Sequence, residues 1–392
     1  MRESWEKIRS AVRRAVAGIT AAAVLAAGGS AAFAEVSLEE KGLELAGSSL
    51  HYPVLTGMED EVLQKAVNDR ILEDTEIREY TTRMSQLLSG GSMTVEWTGG
   101  ILGDVFSCAV SASGNLTDSR REHRWTGSNI DLRDGREILL DDLFSDPEAG
   151  RVALEAYLEE EVLPELSAHL LNCELTPLPE AFFLEREGLT LLYPMEKLTT
   201  LKDRAGDIRI SWNEIREVLN TGEDGILSRI GAVSMMEADE QSGERIRAMA
   251  SQGCLEGIPA KIGDRLKPLT DRWSLLTDPD VFLGGRCFAP DGGCFRGVLL
   301  MTDYISESWD DSVVQGIRAD RGCWEGLCIG ETSREAWQAI LGEPDNTAAF
   351  DGEKAEAYRT VPGISDYYRC GDYILQLHAD EAGVLASLIL TE

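Results

Sequence analysis

The feature that most constrains this chain is how it opens. Arg2, Lys7, Arg9, Arg13 and Arg14 make a charged start, an apolar stretch begins at Ala15, and Ala32-Phe33-Ala34 supplies a small-residue cleavage site. That order predicts a secretory signal peptide cut between Ala34 and Glu35. Left uncut, residues 15–34 would instead anchor the body outside a membrane, since a span needs about 20 residues. No other stretch is long and apolar enough to cross. The expected location is therefore secreted or associated with the cell envelope, with the membrane touched only through the N-terminal segment.

Export decides how the rest of the composition is read. Lys plus Arg number 37 against 69 Asp plus Glu, a net charge of −32, and removing the basic leader makes the remainder more acidic still. Phosphate backbones would be repelled, which excludes nucleic acid as a partner, while cationic proteins would be steered toward the surface. All eight cysteines follow the leader, and an even count in an exported chain points to disulfides. Cys287 and Cys294 flank the turn-rich Phe-Ala-Pro-Asp-Gly-Gly and are the leading candidate pair; closing so short a loop contributes roughly 2 to 3 kcal/mol. A zinc site from Cys287, Cys294, Cys323 and Cys328 is disfavoured, because the spacings are not those of zinc ribbons and no His lies near.

Periodicity outlines an α+β chain: a mostly antiparallel sheet with helices on one face, then a second, smaller α+β domain. Thr56-Gly57-Met58-Glu59 matches a capping box, and Leu63, Val67 and Ile71, with Val62 and Ala66 beside them, give the helix after it an apolar stripe. Ile77, Tyr80, Met84, Leu87 and Leu88 predict a second helix that Gly90-Gly91 stops. Strands are expected over 92–97, 104–112 and 120–132, and Asp134-Gly135 marks a tight turn. A helix over 147–163 carries Glu159, Glu160 and Glu161 into solvent. A hairpin about Gly188, a strand over 207–211 and a short helix over 212–219 complete a first domain spanning 35–220.

Residues 221–253 read as a linker with one helix over 244–250, and 254–392 as the C-terminal domain. There Thr332-Ser333-Arg334-Glu335 caps a helix carrying Ala336, Trp337, Ile340 and Leu341, which Gly342 and Pro344 end. Strands over 373–378 and 384–390 follow. Ile262-Gly263-Asp264 echoes Ile329-Gly330-Glu331 at a spacing of 67 residues, and each echo precedes a helix, containing Trp273 or Trp337, and a strand pair. The pattern suggests a duplicated helix-plus-hairpin unit.

The residues offer no catalytic set. There is no Gly-x-Ser-x-Gly elbow, no P-loop, no dinucleotide fingerprint and no EF-hand loop, and His51, His123, His169 and His378 are far apart in sequence. No catalytic, cofactor-binding or metal-binding residue is assigned, and no cofactor is expected. Trp309, among Ser306, Glu307, Ser308, Asp310 and Asp311, has no apolar periodicity to carry it inward and is the candidate surface-binding aromatic.

Three stretches carry a family resemblance. They are Tyr52-Pro53-Val54-Leu55-Thr56-Gly57 before a helix with Val67-Asn68, then Asn129 through Asp134-Gly135 to Asp141-Asp142-Leu143-Phe144, and Phe182 to Tyr193 running on to Ile208-Arg209-Ile210-Ser211-Trp212-Asn213-Glu214-Ile215. In this order they resemble the RsiV-like extracellular domain of the lysozyme-sensing anti-sigma-V factor, which also occurs beside a peptidoglycan deacetylase, over roughly residues 50–220. The C-terminal Ile329-Gly330-Glu331-Thr332 and Leu341-Gly342-Glu343-Pro344-Asp345 are similar to the repeats of β-lactamase-inhibitor-like domains. The resemblance implies an exported, non-enzymatic binding or sensing protein of the bacterial envelope, whose partner is an extracellular protein or wall component such as the cationic lysozyme. The alternative is a wall-modifying hydrolase or deacetylase, for which His123 or His169 would have to meet two carboxylates in a cleft.

Overall fold

The structure, a computed structural model, describes residues 36–392 apart from 46, 88–90, 118–120, 167–171, 195–196, 200–205, 259, 273–279, 283–284, 289–295 and 303–310. Ala34 and Glu35, where cleavage is expected, lie outside the described residues. The protein is α+β, built on antiparallel sheets with helices. It divides into two compact units, each drawn from separate stretches of chain. One takes in residues up to Pro147 with Leu170–Leu184 and Leu191–Gly206, and the other Glu148–His169, Glu185–Thr190 and Asp207–Glu392.

The first unit is built on a five-stranded sheet in chain order: β1 (Ser37–Leu45), β2 (Ser48–Thr56), β3 (Met93–Leu102), β4 (Val105–Gly114) and β5 (Glu122–Asp131). Neighbours are antiparallel except β2 and β3, which pair in parallel at Ser49↔Thr94 and Leu50↔Val95. A parallel pair needs a crossover, here α1 (Glu61–Asp74) and α2 (Ile77–Gln86). The cap of α1 is Asp60 and not the expected Thr56 box: its carboxylate accepts from the Val62 and Leu63 amides at 2.8 and 3.0 Å. The expected stripe is only partly internal. Val67 and Ile71 are fully buried, whereas Val62 is 79% exposed.

Both helices cover one face of the sheet. Val67 and Ile71 pack with Leu55, Phe106, Cys108 and Ile130, and Ile77, Tyr80 and Met84 with Leu50, Val95, Val110 and Ala112. Phe106, Cys108, Val110 and Ala112 alternate along β4, as the strand period requires. The opposite face of β4 is covered too, by Phe183 and Leu192 against Ala109. There the buried Ser107 hydroxyl donates to Asn129 Oδ1 at 2.7 Å and accepts from the Leu184 amide at 2.8 Å, while Asn129 Nδ2 donates to the Phe182 carbonyl at 2.9 Å. Asn129 is thus a clasp. Asp131, the other polar residue of that stretch, is equally internal and holds Arg133 bidentately at 2.8 and 3.0 Å.

β1 has no counterpart among the strands expected from the sequence. It pairs along its whole length with β2 and forms the sheet's edge, where Glu39, Glu40, Lys41 and Glu44 are exposed. Charge on an edge strand blocks further pairing.

The second unit opens with α3 (Pro147–Tyr157), which loosens into a π-helical turn over Leu158–Val162, with Glu159, Glu160 and Glu161 all exposed. The expected linker is not one. Residues 221–253 carry Ile226–Arg229, Ala232–Met236 and α4 (Ser242–Ala250), which bury Ile226, Leu227, Met235, Ile246 and Ala250. Each helix is too short for its sparse apolar residues to show a period among the polar ones.

The rest is an eight-stranded antiparallel sheet. Its strands are β6 (Asp280–Phe282), β7 (Gly285–Phe288), β8 (Val298–Thr302), β9 (Gly316–Ala319), β10 (Asn346–Phe350), β11 (Gly363–Cys370), β12 (Tyr373–Asp380) and β13 (Leu385–Thr391), in the order β6-β7-β8-β9-β13-β12-β11-β10. Before β6 lies α5 (Leu266–Arg272), and before β10 lies α6 (Arg334–Leu341), capped by Ser333 accepting from the Ala336 amide at 3.3 Å.

The suggested duplication is present in the backbone. Gly253-Cys254-Leu255-Glu256-Gly257-Ile258 corresponds to Gly322-Cys323-Trp324-Glu325-Gly326-Leu327, and the three glycines of each copy (Gly253, Gly257, Gly263; Gly322, Gly326, Gly330) all hold positive φ. The Ile262 amide bonds to the Gly253 carbonyl at 2.8 Å as Ile329 does to Gly322 at 3.0 Å, and Gly263 to Val314 at 2.8 Å as Gly330 does to Leu385 at 2.8 Å. Leu266 donates to Ser312, and Arg334 to Gly383. This register makes Leu269 the counterpart of Trp337; Trp273 lies outside the described residues.

The final strands of the two copies meet at the sheet's centre. Ile317↔Leu390 and Ala319↔Leu388 bracket Arg318↔Ile389, so exchanging the copies maps the pairing onto itself. The unit is therefore a pseudo-dimer within one chain.

Candidate functional site

Two places concentrate chemistry. The first is a groove of about 330 Å³ in the first unit, between the β1–β2 hairpin and α1. The hairpin contributes Lys41, Tyr52 and Val54, and the helix Glu61, Gln64, Lys65, Asn68, Asp69 and Leu72. These helix positions recur at three- and four-residue intervals, so they share one face. Asn68 ties helix to strand, accepting from the Leu55 amide and donating to its carbonyl, each at 2.8 Å. Lys65 pairs with Asp69, which also takes Arg78 at 2.7 Å; those bonds hold the Asp69 carboxyl below its usual range. Burial against Val54 and Leu72 raises the Tyr52 phenol. Of the carboxylates near it, Glu61 and Asp69 line the groove from the helix; Glu39, Glu40 and Glu44 on β1 and Glu59 and Asp60 before α1 are exposed, with Glu40 and Glu44 turned to His51.

The second place is an ion cluster in the second unit whose centre, Glu187, Arg209 and Glu325, is buried. Arg209 on the strand Asp207–Ser211 bonds Glu185 at 3.1 Å and faces Glu187 at 3.8 Å; Arg186 pairs with Glu256 at 2.6 Å and reaches Glu325 at 3.6 Å. Arg245 closes on Glu325 and on Asp239 at 2.9 Å. Glu256 and Glu325 are equivalent residues of the two copies, so Arg186 bridges the duplicated turns. Desolvation, with Glu185 adding to it against Arg209, pushes the Glu187 carboxyl up to about 8. A second network joins Arg296, 8% exposed, to Glu165 at 3.1 Å and Tyr157 at 3.4 Å, while Arg321 reaches Glu214 at 2.9 Å.

In each network the central groups, Glu187, Arg209 and Glu325 in one and Arg296 in the other, are buried, while Asp239 and Glu165 at the margins are exposed. The hydroxyl-on-imidazole pair that nucleophilic catalysis would use is also internal: the Ser365 hydroxyl meets His378 Nδ1 at 2.8 Å, and His378 Nε2 donates to the Val361 carbonyl at 2.8 Å. Ser365 and His378 have no exposed surface, and burial lowers the imidazole's basicity, so the ring stays neutral and pins the Val361 loop to β12. His123 meets the Ser111 hydroxyl at 2.9 Å and the Trp125 ring, while His169 lies outside the described residues. Among the described residues, no group of three or more His, Cys, Asp or Glu is placed to hold a metal, and no helix is long and apolar enough to cross a membrane.

Of the residues singled out in sequence, Trp309 and Cys294 lie outside the described residues, and Cys287 is buried in β7. Among the described residues a disulfide joins Cys323 and Cys328. These two are opposite one another across the Trp324↔Leu327 hairpin, whose two-residue turn, Glu325-Gly326, has φ of 52° and 84°. An X-Gly turn with both φ positive is the tight hairpin signal, and it was readable in Cys-Trp-Glu-Gly-Leu-Cys. A disulfide accords with an oxidising compartment. Gln64 and Glu187 had no such mark, since only the fold sets one beside a strand and buries the other.

No protein-family model and no curated protein matches the chain. Among solved structures it is similar to a member of the DUF3298 family from Bacteroides fragilis, at 13% identity and a TM-score of 0.36, over 50% of this chain and 96% of that one. It is similar also to a DUF3298 family protein from Pseudomonas aeruginosa, at 13% identity and 0.33, over 48% and 94%. A DUF4309 family protein from Bacillus subtilis follows at 13% and 0.27, over 39% and 96%. These neighbours are domains of unknown function.

Proposed function

We propose that this is an exported, non-enzymatic binding or sensing protein of the bacterial envelope whose partner is a cationic wall-lytic protein such as lysozyme. The observation that carries the reading is the groove of the first unit. It is solvent-open, its helix side carries the carboxylates Glu61 and Asp69, and further exposed carboxylates lie along β1 and at the start of α1. A net charge of −32 adds long-range attraction for a cationic partner, which acts mainly on the association rate. The disulfide and the signal-like leader agree with an external location.

The test is lysozyme binding to the chain lacking residues 1–34, followed by surface plasmon resonance at low and moderate salt. Binding should weaken with salt, and the triple variant Glu39→Lys, Glu59→Lys, Glu61→Lys should slow association about tenfold or more. A well-folded sample that shows no association would remove lysozyme as the partner.

A further inference from the structure

We propose that the hairpin tip Glu185–Gly188 is a pH-sensitive latch on the duplicated turns, seated while Glu187 is protonated and released as that carboxyl ionises. The geometry is that of a plug in a fitted socket. Glu187 is 7% exposed and lies against Gly257, where a side chain would come within 2.8 Å of the Glu187 carboxyl carbon and 2.5 Å of Arg209 Nη2. Gly257 holds φ of 77°, so backbone and space both demand glycine there.

Beside the ion pairs of Glu185 and Arg186, the tip is closed by one backbone bond of its own and held by two from Trp212. The Glu185 amide bonds to the Gly188 carbonyl at 2.9 Å, the Trp212 amide to the Glu187 carbonyl at 3.3 Å, and the Trp212 indole to the Glu185 carbonyl at 3.1 Å. The charged groups facing Glu187 are Glu185 and Arg186 from the tip, Arg209 from its strand and Glu256 from the first turn. Glu325, Arg245 and Asp239 are connected through Arg186. With Glu187 neutral, Glu185, Glu256 and Glu325 face Arg186, Arg209 and Arg245. Ionisation adds a further carboxylate in a buried position, and the cation it faces, Arg209 at 3.8 Å, already bonds Glu185 at 3.1 Å.

Burial pushes Glu187 up to about 8, against 4.5 for an unburied glutamate. The seated tip therefore binds a proton that the released tip gives up anywhere between those values. Rising pH across that window favours release, and above about 8 the effect levels off.

Hydrogen exchange on the full chain tests this, read at the Trp212 amide, which bonds the tip, against Ile317 and Leu388 in the central strands and corrected for intrinsic exchange. Protection at the tip should fall about tenfold per pH unit from about pH 5 to pH 8 and then flatten, one proton being linked, while the sheet amides do not follow. Glu187→Gln should abolish that slope. Parallel behaviour of tip and sheet in the unsubstituted protein overturns the latch, and so does an unchanged slope in Glu187→Gln. If that variant fails to fold, the unsubstituted measurement decides alone.

Discussion

The two copies within the second unit share a backbone and differ in what clamps it. Each has a turn with glycines at positive φ, followed by the same bonds to the closing strand of its own copy. In the later copy Cys323 faces Cys328 and the pair is oxidised, whereas in the earlier copy Cys254 faces Lys261 and is a thiol whose pKa burial raises. Core size differs in the same direction, with Trp337 where the earlier copy has Leu269. Beneath Trp337 lies Asp366, fully buried and accepting from Arg334 at 2.7 and 2.9 Å, Gln338 at 2.9 Å, Thr347 at 2.8 Å and the Trp337 indole at 3.2 Å. The shared glycines specify the path of the chain, and the unshared residues set how firmly each copy holds it.

Substitutions at matched positions sharpen this contrast. The largest effect is expected for Trp337→Ala, about 4 kcal/mol or more, because it opens a cavity and strips a donor from buried Asp366; Leu269→Ala should cost about 3 kcal/mol. Urea unfolding of the two variants measures the difference, and equal losses would contradict the asymmetry. Next is the clamp. Cys323→Ala with Cys328→Ala should cost about 2 kcal/mol, and Lys261→Cys should let Cys254 close the matching bridge and recover up to that amount. Mass spectrometry under non-reducing conditions shows whether the bridge forms. The smallest effects belong to Gly263→Ala and Gly330→Ala, at φ of 94° and 84° with open space around both. Each should lower stability by about 1 kcal/mol, and by the same amount, since only backbone strain is at stake.

Much of this scaffold was legible in the sequence, and the failures have specific causes. The second helix, the β3–β5 strands, the Ser333-capped helix and the closing hairpin follow from period and punctuation. The first helix was placed early because Thr56 satisfied a pattern that Asp60 satisfies physically, with two amides on its carboxylate. β1 was missed because an exposed edge strand has no apolar alternation to show. The repeat was visible through Ile-Gly-Asp and Ile-Gly-Glu, but Leu269 as the partner of Trp337 required the hydrogen bonds of both turns. The candidate groove was the least legible part, because its walls are separate elements whose polar faces look like any solvated surface.

The symmetric pairing at the sheet's centre also sets a schedule. β9 and β13 are joined through Ile317↔Leu390 and Ala319↔Leu388, although some seventy residues of chain separate them. A chain emerging from its N-terminal end completes the earlier copy with the inner side of β9 unpaired, and that strand waits until the last strand of the later copy arrives. Contacts so distant in sequence form slowly, and an open apolar edge invites pairing with another chain in the interval. The β9 edge is therefore the point at which folding and association compete, and substitutions that delay β13 should raise aggregate yield before they change the stability of the finished sheet.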